Sequence, residues 1–435
     1  TIRTNQKKVC GLSAKNGNPI SGSSTKPDTP SQPHMSPERS AYVAPTAAMM
    51  LVQTIVMMGV VAVPVIAPLL STELGLRDGF AGTFQSVAFV GATFATIVGG
   101  TLVGRLGGIR VSQLCCLLAA FGLLLPIGAA TTLVFLGAIL AGCGYGSATP
   151  AASHVLARVC PPDIRGIVFS TKQSAVTLGG LFAGLLVPAL AEHYDWRIAL
   201  GVVAAAAMVS LFAIQPLRAG LDDDRRASAP FTFSAVLGNI ALVLKHPSMR
   251  PIACTAFAYS SMQVALFALY VTILVGQAKV TLIEAGWLYA VMQGTGIVGR
   301  IAWGALSDGY FAARHLLAVI GIGAIMATLT MTQVTPVWSF SALVMLSVAL
   351  GGTIVSWNGI YLAEVPRQVP LGQVSAATSG TVMFSFTGVV VGPIGFTFAV
   401  TQTGSYEAAV WAFNAVIVAA VTYLLWPRKS QTRAH

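Results

Sequence analysis

One kind of segment recurs throughout this sequence: a run of about 20 uncharged, mostly aliphatic residues, closed at each end by Gly, Pro or a charged side chain. Inside a bilayer no water is present to hydrogen-bond the backbone, so a run of this length and polarity folds as a membrane-spanning helix. Such runs fall at 47–70, 80–103, 111–129, 133–156, 167–190 and 196–216, then at 251–276, 284–306, 315–335, 337–363, 376–400 and 406–426. The predicted fold class is an all-α membrane protein of twelve transmembrane helices. Composition closes off the alternative: 55% of the 435 residues are hydrophobic and 9% charged, against about 25% charged in a soluble domain.

The runs divide into two sets of six. Residues 45–216 predict an N-terminal six-helix bundle and 251–427 a C-terminal one, giving two pseudo-symmetric halves. Between them 217–250 carries Asp222-Asp223-Asp224-Arg225-Arg226, then an apolar-periodic stretch from Phe231 to Leu244. It reads as a cytosolic linker ending in an interfacial helix, or as a plain solvated loop. Residues 1–44, rich in Ser, Thr, Pro, Asn and Lys without an apolar core, predict a disordered cytosolic tail, and 428–435 a second short tail.

Basic residues set the orientation. Connections on one side carry Arg105, Arg110, Arg158, Arg165, Arg218, Arg225, Arg226, Lys245, Arg250, Arg314 and Arg367, and those on the other only Arg77, Arg197 and Lys279. Both termini are therefore expected in the cytoplasm of a protein of the inner membrane. The same placement accounts for the net charge of +11, which is spread between apolar runs and not gathered into a nucleic-acid-binding patch. Six cysteines without a CxxC pair predict neither a metal site nor a disulfide framework. No phosphate-binding loop or catalytic triad is present, so neither an enzyme nor a cofactor is expected.

The halves repeat each other. Ala157-x-Val159 through Pro161 to Gly166 matches Ala363-x-Val365 through Pro366 to Gly372, and Gly100-x-Leu102 matches Gly304-x-Leu306. Gly100-Thr-Leu102-Val-Gly104-Arg105-Leu-Gly107-Gly-Ile-Arg110 after span 2, and Gly304-Ala-Leu306-Ser-Asp308-Gly309 with Arg314 after span 8, resemble the signature loops of the major facilitator superfamily. Gly142-x-Gly144-x-Gly146 with Pro150 on span 4, Asp195-Trp196-Arg197 after span 5, and Gly388-x-x-x-Gly392-Pro393 on span 11 are similar to further landmarks of that family. The resemblance implies two six-helix bundles that rock about a central site, with Gly100, Gly104, Arg105, Arg110, Gly304, Asp308 and Arg314 in the gating loops. The family places an acid where Asp308 stands; the first half has Gly104 there, which removes one charge contact from its gate.

A charge near the bilayer centre is costly and marks a pathway, and only Lys172 on span 5 and Arg300 on span 8 are so placed. Arg300 lies eight residues before Asp308, roughly 12 Å along the helix. It shares a stripe with Tyr289, Gln293, Gly296 and Gly304 that suits a watery cavity, or else it pins span 8 to a neighbouring helix. Lys172, followed by Gln173, either points inward or snorkels to the surface. No Asp or Glu occupies the middle of any span, so a carboxylate proton relay has no evident member. Two intramembrane cations with no acid to balance them predict an anionic substrate, and arginine's planar fork suits a carboxylate. The pattern around Arg300 is similar to that of the monocarboxylate and oxalate/formate carriers of the superfamily, which implies that this arginine holds a substrate carboxylate. Gln53 and Met57 on span 1, Tyr145 and His154 on span 4, Tyr259 and Gln263 on span 7, and Trp357, Asn358 and Tyr361 on span 10 are the polar or aromatic lining candidates, each equally readable as core or interhelical bonding.

The expected protein is a secondary transporter of a small organic anion, by proton symport or anion exchange, working as a monomer. The alternative is efflux of hydrophobic or cationic drugs by proton antiport in the same fold. Drug antiporters of the superfamily carry an arginine on span 4 where this chain has Ala138, and their span-5 Gly-Pro pattern survives only as Gly180, Gly184 and the late Pro188.

Overall fold

The structure is a computed structural model that describes residues 42–76, 79–161, 164–223, 233–309, 311–370 and 373–426. The predicted N-terminal tail up to residue 41, the C-terminal tail from 427, Arg77, and Asp224, Arg225 and Arg226 of the linker lie outside these residues.

Every predicted run is helical over most of its length. Spans 1 to 6 are Val43–Val65, Phe80–Leu106, Gly108–Leu124, Thr131–Val159, Arg165–His193 and Trp196–Ala213. Spans 7, 8, 9, 11 and 12 are Met249–Ile273, Leu282–Gly309, Ala313–Met331, Val374–Thr403 and Tyr406–Leu425. Span 1 starts at Val43, inside the predicted tail, because Pro45 sits in its first turn, where a missing N–H costs nothing. An even number of spans returns the chain to the side it started from, here called the terminal side, and the opposite one is the far side.

Span 10 departs from expectation. The continuous apolar run 337–363 is two helices, Phe340–Gly352 and Asn358–Glu364, separated by turns at 353–357. Thr353, at φ −111° and ψ −86°, leaves the helix immediately after Gly351-Gly352. The predicted interfacial segment is the helix Phe233–Lys245, and Gly380 of span 11 packs against its Asn239 carbonyl. Residues 215–221 continue span 6 as short helical turns, so less of the linker is loop than the sequence indicates.

Helices in lipid gain little from the hydrophobic effect against one another, so close approach and interhelical hydrogen bonds hold them. Span 4 shows how. Gly142 and Gly146 lie on the Ala88 and Ala92 carbonyls of span 2, while Gly144 faces the Cys115 carbonyl of span 3. Thr96 Oγ1 donates to the Gly146 carbonyl at 2.9 Å and Ser147 Oγ to that of Ala95 at 3.1 Å. In the second half Gly388 and Gly392 of span 11 press on the Phe257 and Ser261 carbonyls of span 7. The outer faces expose large apolar residues such as Phe94, Phe212, Ile301 and Trp411, as contact with acyl chains requires.

The halves meet along two seams. On the first, Ser86 Oγ of span 2 accepts from the Ile394 N–H of span 11 at 2.9 Å, and Thr397 Oγ1 donates to the Gly79 carbonyl at 3.3 Å. On the second, Gly184 of span 5 and Gly286 of span 8 lie each against the other's carbonyl, with Pro188 beside them, and Glu192 accepts from the Leu282 N–H at 3.1 Å. Both seams belong to the far side. Gly100 and Gly304, towards the terminal side, face open space.

Candidate functional site

The interrupted helix of span 10 creates the site's first half. Where helical geometry stops, carbonyls lose their intrahelical donors and need others. Span 8 supplies them. Trp303 Nε1 donates to the Gly352 carbonyl at 2.7 Å, and Arg300 donates to the Val355 carbonyl through Nε at 3.3 Å and Nη2 at 3.2 Å. Close contact between the two spans is possible because Gly296 and Gly299 of span 8 face Val355 and Ser356, and Gly351 lies on the Met292 carbonyl. Gln263 of span 7 completes the arrangement: its Nε2 donates to the same Val355 carbonyl at 3.3 Å, and its Oε1 accepts from Trp357 Nε1 at 3.2 Å and Asn358 Nδ2 at 3.4 Å.

Lys172 builds the other half. It does not snorkel: its side chain is 3% exposed and Nζ donates to Gln53 Oε1 of span 1 at 2.8 Å. Thr149 of span 4 donates to that oxygen as well, at 3.4 Å. Gln53 is itself fully buried, and its Nε2 has no hydrogen-bond partner among the described residues. The two cations stand at one level, because Arg300 Nη1 reaches the carbonyl of Gln173, the residue after Lys172, at 3.4 Å. Among the described residues neither cation forms a salt bridge; the ion pairs join Arg158 to Asp223, Arg197 to Glu73 and Asp195, and Arg367 to Glu364. Lys172 and Arg300 thus keep unused N–H donors and unbalanced positive charge.

The remaining predicted residues divide. Gln173 contributes its carbonyl, and its side chain is half-buried. Gln293 donates to the Tyr289 hydroxyl at 2.9 Å, both are fully buried on the span 5/8 seam near Gly180 and Gly184, and Gln293 Oε1 is left without a donor among the described residues. The rings of Trp357 and Tyr361 lie 5.3 Å apart, tilted by 53°, and the Tyr361 hydroxyl is buried without a partner among the described residues. Tyr259 turns elsewhere: it packs edge-on against Trp357, but its hydroxyl donates to the Leu317 carbonyl of span 9 at 2.6 Å.

In the gating loops Arg105, Arg110 and Arg314 are exposed. Asp308 ends span 8, and its side chain lies outside what is described. The corner at Gly104, which has no acid of its own, receives one from the linker. Asp222, 4% exposed, accepts from the Ile109 N–H at 2.8 Å through one carboxylate oxygen and from the Arg110 N–H at 3.0 Å through the other, capping span 3. Gly107 admits it: φ is +95°, and a β-carbon there would overlap the carboxylate. Arg158 fastens the neighbours, donating to the Leu221 carbonyl at 2.8 Å and pairing with Asp223 at 2.6 Å. Sequence reasoning missed this corner, the span 10 break, and Gln85 of span 2, whose amide is buried with neither atom hydrogen-bonded among the described residues.

The family model described as Major Facilitator Superfamily matches residues 49–393. A probable chloroplastic anion transporter of Arabidopsis thaliana is 33% identical over 159 residues, 35% of this chain and 30% of that protein. The glucose transporter GlcP of Staphylococcus epidermidis is 27% identical over 143 residues, 33% of this chain and 32% of that protein. These matches span about a third of each relative's length. Among solved structures, a D-xylose–proton symporter aligns over 89% of this chain and 98% of its own at 15% identity with a TM-score of 0.69. An inward-facing bacterial homologue of the human lysosomal transporter Spinster aligns over 88% and 95% at 16% identity with a TM-score of 0.66.

Proposed function

The chain belongs to the major facilitator superfamily, and from that membership we propose that it is a secondary transporter whose cargo is a small organic anion, a carboxylate in chemistry. The observation that carries this reading is the pair of cations at membrane depth, Lys172 and Arg300, with no carboxylate partner among the described residues. Charge held there without compensation is costly, and an incoming carboxylate supplies the compensation. The relatives' names do not choose between cargoes, since an anion transporter and a glucose transporter stand side by side. A neutral sugar leaves both cations unbalanced, and a cationic drug adds to them.

In this reading Arg300 binds the carboxylate, Lys172 supplies the second positive charge, and Gln263, Trp357, Asn358 and Tyr361 shape the wall on spans 7 and 10. Gln173, Gln293 and Tyr289 complete the site between spans 5 and 8, with Gln293 and Tyr289 at its closed end on the seam. The protein works as a single chain in the inner membrane with both termini cytoplasmic, so seams joined on the far side correspond to a cavity entered from the cytoplasm. Coupling runs through the cargo's own acidic proton or through exchange for a second anion.

Reconstituted protein tests the proposal. Uptake of labelled carboxylates into proteoliposomes is expected for the wild type and is expected to vanish in Arg300→Ala. Uptake unaffected by that substitution defeats the assignment. A change in drug sensitivity of cells overproducing the protein, with no carboxylate uptake, favours drug efflux.

A further inference from the structure

The arrangement of partners around the two cations says more than their sign. Lys172, Gln53 and Thr149 lie on spans 5, 1 and 4, all in the first half. Arg300, Val355 and Gln263 lie on spans 8, 10 and 7, all in the second. Each half therefore holds one cation at one level of the membrane, where Arg300 Nη1 also crosses to the Gln173 carbonyl of the first half. Each cation keeps donors in hand. Lys172 engages one of the three N–H groups of an ammonium, and Arg300 engages three of the five of its guanidinium, all on main-chain carbonyls, among the described residues. Beside Lys172 the buried Nε2 of Gln53 is a further donor without an acceptor among the described residues.

Resting on the anion reading above, we infer that the cargo carries two acidic groups, one taken by Lys172 and Gln53 in the first half and the other by Arg300 in the second. A monoanion at Arg300 leaves the buried charge of Lys172 uncompensated, and at Lys172 it leaves the charge of Arg300 so. A diacid balances both charges at once. Because each end is held by a different bundle, the molecule itself ties the halves together at the level where Arg300 meets Gln173, and a single-headed acid supplies only half of that tie. The Arg300 end takes a carboxylate in the planar two-point manner, whereas the Lys172 end, a point charge beside an amide, is less demanding of geometry.

The test compares diacids with their own half-amides, which keep length and shape and remove one charge. Succinate, glutarate and adipate, the matching half-amides, and the linear monoacids butyrate, pentanoate and hexanoate are measured by thermal shift and by counterflow in proteoliposomes. The proteins are the wild type, Lys172→Gln, Lys172→Arg and Arg300→Ala, each checked for monodispersity. The wild type is expected to half-saturate with at least one diacid at a concentration about tenfold or more below that of its half-amide. In Lys172→Gln the diacid loses that advantage and titrates with the half-amide, while Lys172→Arg retains it. A wild type that takes half-amides or monoacids as readily as diacids overturns the inference and leaves the anion reading standing. Loss of both diacid and half-amide binding alike in Lys172→Gln also overturns it, because the lysine is then structural. If the wild type responds to none of these acids, the anion reading fails and this inference with it.

Discussion

Arg300 holds the Val355 carbonyl with two N–H groups, at 3.3 and 3.2 Å, where span 10 stops being a helix. One side chain thus has two duties: it closes a gap in a neighbour's backbone bonding, and it presents charge to the centre of the protein. A lysine in its place keeps the charge and loses the fork. Arg300→Lys is expected to lower the transport rate of reconstituted protein by about 100-fold. It is also expected to lower the midpoint of thermal unfolding, because the carbonyl then relies on Gln263 alone. Full activity in Arg300→Lys would show that the charge suffices.

Gln53 orients Lys172 where it is buried from solvent. Gln53→Leu leaves the ammonium without its one hydrogen-bond acceptor among the described residues and is expected to cost about 2 kcal/mol of stability. Removing the charge as well, in Gln53→Leu/Lys172→Met, should recover most of it. The check is the order of unfolding midpoints in detergent: wild type highest, the double variant next, Gln53→Leu lowest.

Asp222 caps span 3 from 113 positions away in sequence. Asp222→Ala removes both acceptors and is expected to lose about 1–2 kcal/mol, read as a fall of about 2–4 °C in melting temperature. Gly107→Ala adds a β-carbon to a left-handed backbone against the same carboxylate and should cost more than Asp222→Ala. The reverse ranking would show that the corner relaxes freely.

Gly184 and Gly286 let spans 5 and 8 touch backbone to backbone on the far side. A branched side chain at Gly286 cannot be accommodated while that seam is closed, so Gly286→Val should shift the protein away from the state described. In a cysteine-free background, Ser86→Cys on the other seam should react with a membrane-impermeant maleimide several-fold faster when Gly286→Val is added. Equal rates would show that the two seams open independently.

Much of this was legible in the sequence, and what was not has a common cause. The helices announced themselves because each satisfies its own backbone within one stretch of chain. Lys172 and Arg300 stood out because charge is rare in such stretches, and the glycines of span 4 because their pattern resembles a family landmark. The break in span 10 escaped notice: 337–363 carries no charge, and Gly351-Gly352 looks like any packing pair. Its cause lies in other helices, in the Met292 backbone against Gly351 and in the donors of Arg300 and Gln263. Asp222 read as linker charge for the same reason. Tyr259 stood on the expected helix, but spacing along one helix does not say which neighbour a side chain meets, and its hydroxyl belongs to span 9.

The acceptor that Arg300 and Gln263 share is a peptide carbonyl. No codon change can remove it, so mutation reaches this part of the site only through the donors and through the glycines that let them approach. Descendants of this protein that change cargo while keeping the fold must do so around a fixed oxygen. Arg300 is then the harder of the two cations to replace, since losing it strips that oxygen of two donors as well as discharging the site. Lys172 answers only to a glutamine side chain that can itself drift, and selection for a new cargo should act there first.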